Sequence, residues 1–221
     1  MKKSIVLALM PLMLIFACEK EEDESGNNQQ TQSDNYFPKK TGNYWIYDVE
    51  SFDGQGNPRP GDTRKDCLVV EKDTFINGNT FKYINHYQNI RDSAGPNEFM
   101  PKILRDSADC ILGASGKISF AAGSIGDTIS IWTETQENTN DTLYTMYYVM
   151  QEASPITVPA GTFDVLDRKV FTFSKLFPSS INQPLVHHYY YAKDIGLVSF
   201  AYIYIGSGTK FRHQLTDYHL Q

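Results

Sequence analysis

The chain has 221 residues and carries 20 Lys and Arg against 26 Asp and Glu, which leaves a formal net charge of −6. Because contact with a phosphate backbone requires a basic face, this balance excludes nucleic acid as a partner. Aromatic residues make up 13% of the chain and charged residues 21%, a composition typical of a folded domain rather than a disordered one.

The first segment has the pattern of a secretory signal. Lys2 and Lys3 precede an apolar run that ends at Ala17 and is shorter than the roughly 20 apolar residues of a membrane span. Residues 15–18, Ile-Phe-Ala-Cys, resemble a bacterial lipoprotein box, in which cleavage before the cysteine frees its thiol to carry a diacylglycerol. We therefore predict a signal peptide at residues 1–17 and lipidation of Cys18, with an ordinary cleavable signal as the alternative.

Acidic and polar residues follow the predicted anchor. Five carboxylates lie in the six residues after Cys18, so this stretch repels itself and stays extended in water. The residues up to Asn35 are polar and have almost no apolar surface to bury. We interpret residues 18–35 as the lipidated cysteine and a flexible tether.

The start of the tether also carries a localisation signal. Lys20, Glu21 and Glu22 resemble the signal that displays Bacteroidetes lipoproteins on the outer face of the outer membrane. The resemblance implies a protein anchored in the outer membrane through acyl chains on Cys18 and facing the cell exterior. A position on the periplasmic face, with the acidic run acting only as a solvated tether, is the alternative.

Residues 36–221 are predicted to form a single all-β domain with little helix. The candidate strands are rich in β-branched or aromatic residues and are bounded by Gly, Pro, Asn or Asp, with no long segment of helical periodicity between them. Turn residues such as Asn77-Gly78 favour tight hairpins between neighbouring strands. We expect one strongly curved antiparallel meander sheet, a half-barrel or open barrel. The candidate strands are Trp45–Val49, Cys67–Val70, Thr80–Ile84, Thr128–Trp132, Thr142–Val149, Phe163–Phe173, His187–Ala192, Leu197–Ile205 and Lys210–Tyr218.

Three motifs in this domain carry a family resemblance. Tyr36–Tyr47 opens the domain, Val158–Asp164 lies near its middle and Tyr189–Val198 comes near its end. Together they resemble uncharacterised Bacteroidetes outer-membrane lipoproteins, whose domain is similar to the β half-barrel of periplasmic lipoprotein carriers. The resemblance implies a curved antiparallel sheet with one concave apolar face. It does not extend to the amphipathic helix that plugs this face in the carriers.

Two cysteines remain in the predicted domain. Cys67 and Cys110 each lie in a strand-like segment, and outside the cytoplasm such a pair is a candidate disulfide. The alternative is two separate thiols that behave as small apolar side chains, since spacing alone does not establish proximity.

The histidines show no spacing typical of a metal site. His187 and His188 are adjacent in a predicted strand, so their side chains point to opposite faces. His213 and His219 lie far apart along an extended strand, and His86 stands alone. We therefore predict no metal and no cofactor.

Catalytic motifs are also absent from the sequence. There is no Gly-x-Ser-x-Gly turn around a nucleophile and no glycine loop that would hold a phosphate before a helix. We predict a protein that binds rather than catalyses, with a hydrolase built from converging carboxylates as a less favoured alternative.

Tyrosines are concentrated in the second half of the chain. On a curved sheet they could line a concave face that holds an apolar, lipid-like ligand, with phenol hydroxyls fixing its polar end. One alternative is that the rings fill the core; another is a surface module that contacts a protein or a glycan. The candidate ligand-binding tyrosines are Tyr144, Tyr148, Tyr189, Tyr191, Tyr202 and Tyr204.

Four short triplets resemble the Asp-Ser/Thr-apolar motif that Bacteroidetes use for O-glycosylation of exported proteins. The hydroxyls they offer belong to Ser93, Ser107, Thr128 and Thr142. Asp followed by Ser or Thr is also a common turn start, which is the alternative at each position.

Overall fold

The computed structural model of the protein describes residues 36–61, 64–88, 103–108, 110–135, 142–175, 183–203 and 208–221, except for the side chains of residues 88 and 142–144. Within these ranges the chain forms fourteen strands. Their bounds are β1 Tyr44–Phe52, β2 Arg64–Ile76, β3 Asn79–Gln88, β4 Ile103–Ser107, β5 Cys110–Gly113, β6 Ile118–Phe120, β7 Thr128–Thr135, β8 Thr142–Glu152, β9 Ile156–Val158, β10 Gly161–Phe163, β11 Val165–Ser174, β12 Leu185–Ala192, β13 Gly196–Ile203 and β14 Lys210–His219.

Twelve of these strands form one antiparallel sheet that nearly closes into a barrel. Their order is β6-β5-β4-β3-β2-β1-β14-β13-β12-β11-β8-β7, and β9 pairs with β10 in a separate hairpin. The first and last strands, β1 and β14, lie side by side in the middle of the sheet, so its edges are β6 and β7. Residues that follow β6 bond to β8, because the amide of Gly126 donates to the carbonyl of Met150 at 2.7 Å. The two edges therefore lie close to one another.

The structure confirms the all-β prediction and the curved antiparallel sheet. Each of the candidate strands is present over its described residues, while residues 204 and 205 of the candidate strand Leu197–Ile205 lie outside them. The turn at Asn77-Gly78 has positive φ at both residues, as a tight hairpin requires. The segment predicted as one strand from Phe163 to Phe173 is divided at Asp164, because Phe163 pairs with β9 whereas Val165 begins the pairing with β12. Within the described parts of the chain, no helix has the length and apolar character needed to cross a membrane.

One end of the barrel is filled by large apolar side chains, and we call it the apolar end. It is defined by Phe37, Trp45, Phe120, Tyr191 and Leu197, all of which are buried. The ring of Phe37 stacks on Trp45 at 5.7 Å between centroids, and Phe120 packs on Tyr191 at 4.6 Å. The indole N–H of Trp45 donates to the carbonyl of Ile195 at 2.6 Å.

The β9–β10 hairpin attaches near the apolar end. The amide of Ala160, in its turn, donates to the carbonyl of Leu215 at 2.9 Å. Leu215 lies beyond the last residue of β14 that pairs with β13, so its carbonyl would otherwise have no strand partner on that side. The hairpin thus bonds to a free stretch of β14, and Val158 from β9 joins the core.

The opposite end of the barrel buries polar side chains, and we call it the polar end. Asp66 lies near the start of β2, His86 near the end of β3 and His213 near the start of β14. His187 lies near the start of β12 at the same end, and Thr172 lies near the end of β11. All five are buried, so the interior changes from apolar to polar along the barrel.

Candidate functional site

A buried cluster of Asp66, His86 and His213 occupies the polar end. Nε2 of His213 lies 2.9 Å from Oδ2 of Asp66, and Nε2 of His86 lies 3.2 Å from the same oxygen. The side chains of Asp66 and His213 are fully buried, and that of His86 is 4% exposed. Two imidazole rings from strands distant in the sequence are therefore aimed at one carboxylate oxygen.

Strand pairing explains why these residues meet. β1 lies between β2 and β14, with Tyr47 opposite both Asp66 and Leu215, and Val49 opposite His213. On the other side of β2, Leu68 lies opposite His86. Because side chains alternate between the two faces of a strand, Asp66 and His213 project to the same interior face as Tyr47 and Val49.

Electrostatics fix the protonation of Asp66 and His213 at neutral pH. Burial raises the pKa of Asp66, but hydrogen bonds from His213 and His86 outweigh it and hold this pKa well below its usual range. Burial lowers the pKa of His213, and the hydrogen bond to Asp66 only partly offsets that effect. Asp66 is therefore a carboxylate that accepts from Nε2–H of a neutral His213.

The other polar atoms of the cluster lack hydrogen bonds. Nδ1 of His86, Nδ1 of His213 and Oδ1 of Asp66 are buried and have no hydrogen-bond partner in the described structure. The closest positive charge is Arg64, whose Nε lies 3.8 Å from Oδ1 of Asp66 and whose side chain is 20% exposed. An imidazole with a free Nδ1 can move its proton from Nε2 to Nδ1, so either tautomer is accessible.

Aromatic rings surround the cluster. Phe200 stacks on the His213 ring at 4.0 Å between centroids with an interplanar angle of 13°, and Tyr47 meets the same ring edge-on at 6.2 Å. The guanidinium of Arg64 lies 4.8 Å above the ring of Phe211. These contacts hold His213 in one orientation and place Arg64 between Asp66 and the solvent.

A second buried charge, Arg168, lies in β11 among tyrosine rings. Its guanidinium carbon is 4.2 Å from the ring centroid of Tyr189, 5.1 Å from that of Tyr148 and 5.9 Å from that of Tyr191. Nη1 donates to the carbonyl of Ser119 in β6 at 2.9 Å, while Nε has no hydrogen-bond partner.

The positive charge of Arg168 is not neutralised by an ion pair within the described residues. The neighbouring carboxylate, Asp167, bonds to Nδ1 of His188 at 2.7 Å instead. Burial raises the pKa of both Tyr189 and Tyr191, so their phenols stay neutral. Arg168 is thus a fully buried cation held by ring faces, by the carbonyl and hydroxyl oxygens of Ser119, and by a hydrogen bond to Tyr189.

The candidate ligand-binding tyrosines lie mostly in the core. Tyr189, Tyr191 and Tyr202 are at most 4% exposed, because the near closure of the barrel turns the concave face into an interior. Tyr148 is partly buried and packs against them. The alternative prediction, that the rings fill the core, is therefore confirmed for these residues. The side chain of Tyr144 and the whole of Tyr204 lie outside the described residues.

The candidate disulfide does not form. Cys67 and Cys110 are not bonded to each other: they lie in β2 and β5, and strands β3 and β4 lie between them. Neighbouring strands are spaced about 4.8 Å apart, so this separation exceeds the roughly 7 Å between Cα atoms that a disulfide can bridge.

The prediction that His86 stands alone is wrong, since it shares Asp66 with His213. Sequence reasoning compared histidines along single strands and missed a group formed across three. The sequence did hold a signal, because each of the three polar residues lies two positions from an apolar residue and so shares its buried face. The pairs are Asp66 and Leu68, His86 and Ile84, and His213 and Leu215. The prediction that His187 and His188 face opposite sides is confirmed, since the first is buried and the second partly exposed.

Several sequence-based sites are not tested by the structure. Residues Cys18, Lys20, Glu21, Glu22 and Ser93 lie outside the described residues. Of the other candidate glycosylation hydroxyls, Ser107 is partly buried at the end of β4, Thr128 is exposed at the start of β7, and Thr142 begins β8 with its side chain not described.

Comparisons with known proteins give two structural likenesses. No family model and no curated protein matches the chain. A crystal structure from Bacteroides fragilis NCTC 9343, described as an exported protein with a YmcC-like fold, is 13% identical over 83% of this chain and 98% of its own, with a TM-score of 0.46. A protein from Parabacteroides distasonis ATCC 8503, described as a lipoprotein, is 12% identical over the same shares, with a TM-score of 0.39. At this level of similarity neither structure identifies a family or a function for the chain.

Proposed function

We propose that this chain is a noncatalytic, lipid-anchored protein of the cell envelope whose barrel binds an amphipathic, lipid-like molecule through an acidic group. The signal at residues 1–17, Cys18 and the acidic tether support the location. Arg168 supports the nature of the ligand, because it is a buried cation without an ion-pair partner among the described residues.

The energetics of a buried charge carry the proposal. Removing an ion from water costs several kcal/mol, and ring faces with the neutral oxygens of Ser119 and Tyr189 recover only part of that cost. A carboxylate or phosphate of a ligand would supply the anionic partner that Arg168 lacks among the described residues, since an arginine offers donors in a planar fork that suits these anions. The unpartnered Nε of Arg168 is one such donor.

The position of Arg168 also suits an apolar ligand. Met150 in β8 lies directly opposite Arg168, and Tyr189 lies opposite it on the other side. Ser119, which accepts from Arg168, lies in the edge strand β6, close to where the barrel is not closed by strand pairing. A ligand entering at this seam would place its acidic group at Arg168 and its apolar part against Met150 and Phe120.

The test compares two variants of one strand by native mass spectrometry. Residues 19–221 contain every described residue, and this chain is purified from its own kind of host, with extraction and identification of any released molecule. Arg168→Met removes the buried cation, and Lys169→Met is the matched control because Lys169 is the next residue and projects from the opposite face. Replacing a buried charge by an apolar side chain of similar length is often neutral for stability.

We expect the unaltered chain and Lys169→Met to carry one acidic, lipid-like molecule, and Arg168→Met to lose it. With a dansylated fatty acid as probe, Arg168→Met should weaken binding by about tenfold or more. The proposal is contradicted if the unaltered chain carries no adduct and does not bind the probe, or if folded Arg168→Met binds as well as the control. An unaltered chain that carries no adduct and does not bind the probe would favour the alternative of a surface module that contacts a protein or a glycan.

A further inference from the structure

We propose that Asp66, His86 and His213 form a binding site for a divalent transition-metal ion, with Zn²⁺ as the best fit. This inference is independent of the ligand proposed for Arg168. It rests on the convergence of three metal-ligating side chains that the proposed ligand site at Arg168 does not use.

The distances within the cluster are close to those of a metal site. Zinc lies about 2.0–2.2 Å from nitrogen and oxygen ligands, so tetrahedral ligand atoms are roughly 3.3 Å apart. The two Nε2 atoms lie 2.9 Å and 3.2 Å from Oδ2 of Asp66, and the three ligand atoms all lie within 4.8 Å of one another. To hold an ion with three protein ligands and one open position, the two Nε2 atoms would move a few tenths of an ångström away from Oδ2 and would settle about 3.3 Å from one another.

The donor set selects the class of metal. Two imidazoles and one carboxylate suit zinc and its first-row neighbours, whereas Ca²⁺ and Mg²⁺ prefer oxygen ligands in larger number. The ligand charges also fit, because Asp66 is a carboxylate that the two histidines contact through hydrogen bonds and that Arg64 approaches at 3.8 Å. A dication at the same place would neutralise it more completely.

The two Nδ1 atoms bear on whether each Nε2 can act as a ligand. Binding requires the lone pair of each Nε2, so a proton held there must move to Nδ1 of the same ring or leave. Both Nδ1 atoms lack a hydrogen-bond partner and are free to take a proton, while the hydrogen bonds from Nε2 to Asp66 are given up and replaced by bonds to the metal. The resulting Nδ1–H groups have no acceptor either, and the missing second layer of hydrogen bonds predicts an affinity about 10–100-fold below that of a fully supported site.

Arg64 provides a discriminating variant. Its positive charge lies next to Asp66 and would repel a cation, while its Nη2 donates to the hydroxyl of Tyr202 at 3.4 Å. Replacing it by methionine removes the repulsion while keeping an apolar chain over Phe211. An arrangement that is only structural would lose stability in this variant and gain no affinity for metal.

The experiment titrates Zn²⁺ and Co²⁺ into the chelator-treated chain of residues 19–221. We expect one equivalent of Zn²⁺ by calorimetry, and with Co²⁺ a visible absorption band typical of four- or five-coordinate cobalt. His86→Gln should weaken binding by at least about tenfold. Arg64→Met should tighten it severalfold, and the matched control His219→Gln, an exposed histidine of β14, should leave it unchanged.

The inference is overturned if the unaltered chain binds no Zn²⁺, if Co²⁺ gives only the weak spectrum of the hydrated ion, or if His219→Gln abolishes binding. It is also overturned if Arg64→Met weakens binding. The cobalt spectrum of the unaltered chain and the Arg64→Met titration decide the matter even if His86→Gln does not fold.

Discussion

The apolar and polar ends of the barrel are built on the same strands but from opposite kinds of side chain. At the apolar end, Trp45 and Phe37 pack ring on ring, and the indole N–H of Trp45 donates to the carbonyl of Ile195. At the polar end, Asp66, His86 and His213 leave three buried polar atoms without hydrogen bonds. Buried polar atoms without partners cost stability, and this cost at the polar end is the reason for proposing a metal site there.

The largest expected effect belongs to the apolar end. Trp45→Ala removes a ring that is 1% exposed together with its hydrogen bond to Ile195, and should lower the free energy of unfolding by about 3–5 kcal/mol. Phe75→Ala, at a side chain that is 72% exposed, should change it by less than about 0.5 kcal/mol. Urea denaturation at pH 7.5 measures both. Equal effects would show that the apolar end is not the main stabilising core.

At the polar end, removing the shared acceptor should cost less. Asp66→Ala leaves the Nε2–H groups of His86 and His213 without an acceptor, and each buried orphan donor costs about 1–3 kcal/mol. We expect a loss of about 3 kcal/mol in chelator-treated protein. Asp48→Ala is the matched control, because Asp48 forms an exposed ion pair with Lys65 and should lose no more than about 1 kcal/mol. A similar loss in both variants would contradict the cluster as described.

The two ends also differ in how well the sequence predicted them. Strand β1 and the Asn77-Gly78 hairpin follow from local patterns, since alternation and turn chemistry act between neighbouring residues. The cluster depends on β1 pairing with both β2 and β14, a relation between residues more than 140 positions apart that no local pattern shows. Arg168 was missed because it lies between Asp167 and Lys169, where a run of charges conceals which one faces the interior.

A pH-dependent loss of stability should arise from the polar end. Burial, and then the positive charges of His188 and Lys210, lower the pKa of His187 to about 4. Below about pH 6.5 the unfolded chain binds a proton at this histidine that the folded chain does not. The free energy of unfolding therefore decreases as the pH is lowered from about 6.5 to about 4. At pH 5 the contribution of His187 should be a loss of about 2 kcal/mol relative to pH 7.5.

His187→Gln should remove that share of the pH dependence in chemical denaturation at pH 7.5 and pH 5. His219→Gln is the control, because His219 is exposed at the end of β14. The interpretation fails if the two variants show the same slope of stability with pH. The lowered pKa of His213 also makes the free energy of unfolding decrease as the pH is lowered, so His187→Gln should keep part of that decrease.

The smallest expected effect concerns the cysteines. Because Cys67 and Cys110 lie in strands too far apart to form a disulfide with each other, a reductant should leave the melting temperature unchanged within about 1 °C. A drop of several degrees would show that a disulfide forms and that the order of strands between β2 and β5 is wrong.

The central claim is that the barrel keeps buried charge for binding and not for stability. The most direct test measures the unfolding free energy and the bound molecules of Arg168→Met on the same purified sample, beside Lys169→Met. We predict that the free energy of unfolding of Arg168→Met lies within about 1 kcal/mol of that of the unaltered chain, or above it. The variant should also have lost its acidic ligand. A loss of several kcal/mol, with no acidic ligand on the unaltered chain, would show instead that Arg168 serves the fold.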